Sequence, residues 1–505
     1  MYMKNKIDQN RVILALFYVI PIVIMFYCFG SGISGNDFWW HIKVGEYVVE
    51  NQTVPTTDIF SWYGVEQGIE WTAHEWLADV IFFLIFNCFG SVGIFIFALG
   101  SAVLLYACLW NVAKRYNSNN ILFSGLFFSL FAVLSSLFFY GRPHVFSYFL
   151  LFFELALLYD FYENPESKKV YLIPAIAVLW SNLHGGSSNL AYILCLLFLV
   201  CGIFNVSFGR IENEPMTKRN LVKLGGITLA TILAILVNPI GVRVLSYPYV
   251  NLSDELSMAL ISEWQAPDAK LIGNIILYFL PIVLMSIGLL SENKKIRLID
   301  LVVMLSFLFL FFRSARFIVL WYIAASFYAF RYIPHIRVKE IKKVSEKIAV
   351  GALAILLLLL LVVGVSEGVK NYQNEKLIST VISDEAIESI KSDSPKRIFN
   401  DYNIGETLIY NDIPVFFDAR ADLYAQENIM ADGASLMYLE QANKTAEKAY
   451  VDVDGLIEKY SFDAVAILKV RPLYSYIVSH PERFSLVYED STVAYYRIIG
   501  GAEDE

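Results

Sequence analysis

Long apolar runs recur through the first 365 residues of this 505-residue chain, broken only by short polar stretches. A helix of about 20 apolar residues spans the hydrocarbon core of a bilayer, and a soluble domain has no interior large enough to hide so many of them. Composition agrees: 57% of residues are hydrophobic, 15% aromatic and only 17% charged, against about a quarter charged in ordinary globular chains. The pattern therefore predicts an α-helical polytopic membrane protein. Proline and glycine (15 and 28 residues) follow no period, which excludes collagen and disorder, and the formal charge of -9 argues against nucleic acid as a partner. All five cysteines (Cys28, Cys88, Cys108, Cys195, Cys201) fall within apolar segments, so no disulfide framework or Cys-based zinc site is expected.

Candidate spans begin with Val12 to Gly30 and end with Ile348 to Val365. The first could be read as a signal peptide, but the many spans behind it favour an uncleaved helix. About 11 crossings are expected, with 11–13 possible, because Leu77 to Val112 is too long for one span. That stretch is either a hairpin broken at Gly90 and Gly93 or an interfacial helix running into a single crossing. The single crossing with a cytoplasmic N-terminus places Lys114/Arg115, Lys168/Lys169, Arg210, Lys218/Arg219, Lys294/Lys295/Arg297 and Arg331 through Lys347 all inside, as the positive-inside rule demands. The location expected is the cell membrane. Residues 1–365 form the transmembrane module, with a large first exterior loop at 31–76. From Ser366 to Glu505 there are 25 acidic and 13 basic residues and the apolar runs shrink to strand length, so 366–505 is expected to be a soluble exterior α/β domain.

The first exterior loop carries GNDFWWHIKVGEYV, PTTDIFSW and IEWTAHEWLADV. Its tryptophans (Trp39, Trp40, Trp62, Trp71, Trp76) suit an aromatic belt at the membrane surface. Among them stand Asp37, His41, Glu46, Asp58, His74, Glu75 and Asp79; helical spacing puts His41 on the face of Asp37 and Asp79 on that of Glu75. Solvated charge beside a Trp anchor is the plain alternative. Four of six histidines (His41, His74, His144, His184), however, fall on one predicted membrane face, which suits proton transfer. The signal for a metal is weak, since no HExxH occurs.

A second cluster is basic: Arg142 and His144 in GRPHVFSY, Asn182 and His184 in WSNLHGG, Arg243 after NPIG, and Arg313 and Arg316 in FRSARF. Each arginine alone reads as a snorkelling anchor; together they suit a lipid phosphate, because guanidinium binds phosphate oxygens bidentately. Glu154, within a span, is expected to pair inside the bundle. No nucleotide loop and no GxSxG elbow are present, which argues against direct use of ATP or NAD and against a serine hydrolase. In FNDYNIGETLIY and PVFFDARADLY, Arg420 is expected to pair structurally with Asp418 or Asp422.

The combination resembles the GT-C superfamily of integral-membrane glycosyltransferases, and its motifs resemble a bacterial GT-C-like group. The resemblance implies transfer of a hexosyl or pentosyl unit, with inversion, from a polyprenyl-phosphate-linked sugar to an envelope glycan, lipid or protein acceptor at the outer face. Asp37 matches the family's first-loop acidic residue, the expected catalytic base, sometimes working with a divalent cation (Mg or Mn). Many members carry paired acids there, whereas Asp37 stands between Asn36 and Phe38; Asp58 or Glu75 is the candidate second carboxylate. Substrate contacts are expected from His41, Asp58, His74, Glu75, Arg142, His144, Asn182, His184, Arg313 and Arg316. A non-catalytic envelope scaffold, and a lipid-linked glycan polymerase, ligase or transporter, are the alternatives; a transporter is disfavoured by the lack of an internal repeat.

Overall fold

The computed structural model describes residues 9–33, 37–117, 121–249, 255–270, 272–291, 294–332, 343–374, 376–378, 380–424, 428–440 and 451–500. Part of the basic run between Arg331 and Lys347 lies outside these residues. The chain divides into two compact units built from interleaved segments. One comprises Met1–Ile33, Phe89–Asn238 and Glu263–Ile378; the other comprises Ser34–Cys88, Pro239–Ser262 and Ser379–Glu505.

The first unit is a helical bundle. Among the described residues, three helices are long and apolar enough to cross a membrane, Trp76–Tyr116, His144–Glu163 and Leu353–Gln373, and shorter apolar helices include Tyr18–Gly30, Phe123–Phe138 and Gly185–Cys201. Trp180, Trp321, Tyr322 and Phe127 fill its interior, whereas Leu104, Leu229, Phe309 and Leu358 face outward. Large apolar side chains on the outside are what a lipid-facing surface requires. The helix Gln9–Gly30 packs on Lys343–Gln373, where Gly30 and Gly364 meet so closely that a Cβ on either would strike the other helix's backbone. Small residues at such a crossing are how membrane helices bring their backbones together. Asn371 Nδ2 then donates to the Gly30 carbonyl at 2.8 Å, so the first apolar run is an integral member of the bundle.

The long run from Trp76 to Asn117 is helical on both sides of Gly90, which stands at φ 60° and ψ −153°. Glu154 is fully buried and accepts from Cys195 Sγ at 3.7 Å, a partner inside the bundle. Arg115, Arg297 and Arg331, from three of the basic stretches in the sequence, gather on Glu163, and Arg297 and Arg331 also share Asp300.

The second unit contains a four-stranded sheet ordered Ile398–Asn400, Ala464–Leu468, Val493–Ile498, Phe484–Glu489; the first pair is parallel and the other two are antiparallel. Pro414 to Asp418, which the sequence pattern casts as a strand, is not one. Phe416 and Phe417 are both buried, and the Asn400 side chain accepts from Phe416 N at 2.8 Å and donates to Phe417 O at 2.9 Å, taking the place of ladder partners. Val415 bridges to Ser61 in the first loop instead. Three tryptophans expected at the membrane surface are core residues here: Trp40, Trp62 and Trp71 pack with Phe399, Phe416 and Phe417, and Trp62 Nε1 donates to Ile398 O at 3.0 Å.

Candidate functional site

In the second unit, Asp37 precedes the helix Phe38–Asn51 at its N-cap position, half-buried, with no side-chain capping bond. His41 follows Asp37 by one turn, with His41 N donating to the Asp37 carbonyl at 3.4 Å, and its imidazole reaches Asp79 on a second helix. His41 Nδ1 and Asp79 Oδ1 are hydrogen-bonded at 2.6 Å, and both side chains are buried. The physical reason is Gly45, one turn further along: any Cβ there would collide with the Asp79 carbonyl and Phe83, so its absence lets the two helices close until His41 reaches across.

The other ring nitrogen, His41 Nε2, lies 4.0 Å from Glu75, and Glu75 lies 3.7 Å from His74 Nε2. His74 rests against the Tyr247 ring at 4.3 Å, and Tyr247 donates to Asp422 at 2.8 Å. Burial pulls the His74 pKa down, against the opposing pull of Asp422, so this imidazole is neutral at neutral pH. The four groups Asp79, His41, Glu75 and His74 thus form one alternating carboxylate–imidazole chain. Asp79 fixes His41, and the outer pair, Glu75 and His74, is partly exposed. Within this series only the Asp79–His41 link is a hydrogen bond; the 4.0 and 3.7 Å approaches are electrostatic contacts.

Two neighbouring carboxylates behave differently. Glu406 is buried, and its Oε1 accepts from Ala419 N at 3.0 Å. Burial, then the charges of Asp37 and Asp418, push its carboxyl well above the usual range. Asp58 is buried and engaged: its Oδ1 takes Arg420 Nη1 at 2.6 Å, and Ser61 donates to its Oδ2. Arg420 also binds Asp418 through Nε and Nη2 at 2.8 and 2.6 Å, and its guanidinium lies over Trp71. The expected pairing of Arg420 is thus with Asp418, and with Asp58 as its second partner.

In the first unit, Arg142 Nη1 donates to both Glu263 oxygens at 3.0 and 3.1 Å and to Tyr140 at 3.2 Å. Arg316 lies over the Trp264 ring at 5.4 Å. Ser314, extended after the helix Leu298–Arg313, donates to the Glu263 carbonyl at 3.1 Å and so holds the two loops together. Burial pushes the Glu263 carboxyl up, but Arg142, then Arg316 and His144, pull it down to about 2. Arg313 is exposed beside this cluster in sequence. Two guanidinium groups therefore act on one carboxylate that is ionised at neutral pH.

The remaining expected contacts are engaged in packing. His144 Nε2 bonds Phe138 O at 2.7 Å. His184 Nδ1 meets Ser147 and Ser187 at 2.6 and 2.8 Å, and Trp180 donates to the same two hydroxyls. Asn182 Nδ2 donates to Val237 O at 2.7 Å, joining the WSNLHGG and NPIG segments. Glu263 and Glu406 were not singled out from the sequence. Glu263 lies 121 residues from Arg142, in a loop whose composition gives no cue, while Glu406 sits in the FNDYNIGETLIY segment that does stand out. Among the described residues, no group of three or more His, Cys, Asp or Glu is arranged to hold a metal ion.

No family model matches the chain, and no curated protein matches it. Two solved structures are similar. One is the archaeal oligosaccharyltransferase AglB from Archaeoglobus fulgidus, in complex with an inhibitory peptide and a dolichol-phosphate: TM-score 0.49, 9% identity, covering 92% of this chain and 69% of that one. The other is ArnT from Cupriavidus metallidurans bound to undecaprenyl phosphate: TM-score 0.47, 12% identity, covering 96% of this chain and 97% of that one.

Proposed function

We propose that this chain is a membrane glycosyltransferase that moves a sugar, with inversion, from a polyprenyl-phosphate carrier to an acceptor hydroxyl at the outer membrane face. The observation that carries this reading is the placing of Arg142 and Arg316 together about Glu263. Planar guanidinium suits phosphate oxygens. Dolichol-phosphate and undecaprenyl phosphate, the lipids held by the two neighbours, are of the carrier class proposed.

In the transfer, the acceptor oxygen bonds to the sugar's anomeric carbon from the side opposite the phosphate, and the bond to the phosphate oxygen breaks. The phosphate leaves with the electron pair, stabilised by Arg316 and Arg142, with Arg313 proposed as a third cation. The acceptor proton passes to Asp37. Asp37 takes the base role because it matches the first-loop acidic residue of the family that the motifs resemble; Glu406, whose carboxyl keeps its proton well above the usual range, does not suit it. Glu75 and His74, on the partly exposed end of the imidazole chain, contact the acceptor, and His41, fixed by Asp79, orients Glu75.

The test is single-turnover transfer from radiolabelled polyprenyl-phosphate sugars to extracted envelope acceptors. Loss of a general base lowers the rate by about 10²–10⁴, so Asp37→Asn is expected to abolish turnover with folding intact, and Arg316→Gln to weaken donor binding. Retained turnover in Asp37→Asn would remove the base assignment. Absence of both transfer and lipid-phosphate binding in the wild type would leave the scaffold alternative.

A further inference from the structure

A cleft of about 390 Å³ opens within the second unit, between the helix Phe38–Asn51, residues 83–87, and the turn that follows the helix Gly405–Tyr410. Its volume falls in the range of small-molecule sites, about 300–1,000 Å³. One wall is aromatic: Tyr410 lines it, with the rings of Trp39 and Phe86 packed against Tyr410 at 4.6 and 6.0 Å. The charged groups on the lining cancel, Lys43 and Lys391 against Glu46 and Asp412. Lys43 bridges Glu46 and Asp412 at 2.5 and 2.8 Å, and Lys391 donates to Asn411 at 3.2 Å. Asp412 adopts φ 59°, a left-handed conformation that Asp accepts more readily than most residues, and its carboxylate meets Lys43. Asn87 adds an amide, donor and acceptor both, with no protein partner among the described residues.

A lining with no net charge offers no advantage to an anion or a cation. Donors and acceptors side by side do suit hydroxyl groups, each of which both donates and accepts, and an aromatic wall suits the C–H face of a saturated ring. We propose that this cleft binds a neutral sugar ring, presented either by a glycolipid headgroup or by a free or polymeric glycan. That the bound sugar belongs to the acceptor rests on the transferase reading; the binding itself does not.

The experiment uses the full chain in phosphatidylcholine nanodiscs, with methyl glycosides of glucose, galactose, mannose and N-acetylglucosamine as probes and saturation-transfer NMR as readout. At least one glycoside is expected to receive saturation at its ring protons. Asn87→Ala, an exposed position where folding is not at stake, is expected to weaken that binding about tenfold, as loss of one hydrogen bond does. Tyr410→Phe, which keeps the ring, is expected to leave it within about twofold. Displacement of the glycoside by glucosyl-diacylglycerol placed in the disc assigns the ring to a lipid headgroup, and its persistence assigns it to a glycan. No saturation of any glycoside overturns the inference, as does binding that Asn87→Ala leaves unchanged, or competition by inorganic phosphate. A chain that transfers sugar but binds none here overturns this inference alone; one that binds sugar here but transfers none overturns the transferase reading alone.

Discussion

In the unit that contains the first loop, one guanidinium, Arg420, is held by two carboxylates, Asp58 and Asp418; in the helical unit, one carboxylate, Glu263, is acted on by two guanidinium groups, Arg142 and Arg316. The first arrangement is closed. Arg420 and both partners have fully buried side chains, and all three are used up in holding Asp58 of the loop to Asp418 and Arg420 of the C-terminal segment. The second is open, with the Glu263 side chain 29% exposed and the Arg142 side chain 14%. The same pair of residue types therefore serves two ends. Where carboxylates outnumber the cation and water is excluded, the ion pairs fix the fold; where two cations meet one carboxylate at a partly open position, the pair stays in reach of water.

The largest expected effect comes from breaking the closed arrangement. Arg420→Met leaves Asp58 and Asp418 buried without their cation, and removing one partner of a buried pair destabilises by about 3–5 kcal/mol. Thermal unfolding followed by tryptophan fluorescence should show it, because Trp71 lies against Arg420. Arg142→Met should cost clearly less, since Glu263 can turn to water; an equal loss would break the comparison. Gly45→Ala comes next. Its Cβ has to displace the Asp79 backbone or Phe83, and overpacking of this kind costs about 1–3 kcal/mol. The separated helices should also release His41 from Asp79, which imidazole NMR would register as a changed tautomer signal.

The open arrangement predicts a pH effect. The Glu263 carboxyl sits at about 2 in the folded chain against an ordinary value of 4.5. A carboxyl depressed on folding adds stability that is complete above its unfolded value and is lost as pH falls through the folded one. Melting temperature should therefore fall between about pH 4.5 and 2, and Arg142→Met should shrink that acid-side loss. An unchanged acid limb in the variant would mean that Arg142 does not hold Glu263 ionised.

Legibility from the sequence followed the range of the interaction. The apolar runs are local, and so the helical bundle was readable, as were the strands Ala464–Leu468 and Val493–Ile498, whose bounds match the apolar pattern. Asp58 and Arg420 are 362 residues apart, and nothing near either marks the other as its partner. Helical spacing gives Asp37 one turn before His41 because spacing sees one helix; the pairing of His41 with Asp79 depends on a close approach that Gly45 permits between two. The tryptophans looked like membrane anchors for a similar reason. Their amphipathic rings suit a surface, but Phe399, Phe416 and Phe417 offer a dry core that is invisible until the C-terminal segment folds back.

The smallest expected effect concerns Glu406, which tests whether burial in the closed unit always ends in an ion pair. Its Oε1 is bonded to the Ala419 amide, but its Oε2 has no partner among the described residues, and burial with the charges of Asp37 and Asp418 raises its pKa well above the usual range. For an acid raised on folding, stability is fully present below the unfolded value, ordinarily 4.5, and declines as pH rises from there toward the folded value. Glu406→Gln copies the protonated form, keeps an acceptor for Ala419 N, and cannot ionise in the unfolded chain. At pH 4 it should match the wild type within about 0.5 kcal/mol, and with rising pH the variant should become the more stable of the two. Crossing melting curves on that axis would show that this unit keeps one buried acid neutral while pairing its neighbours. A variant that is less stable at every pH would instead mean that Glu406 is ionised and paired.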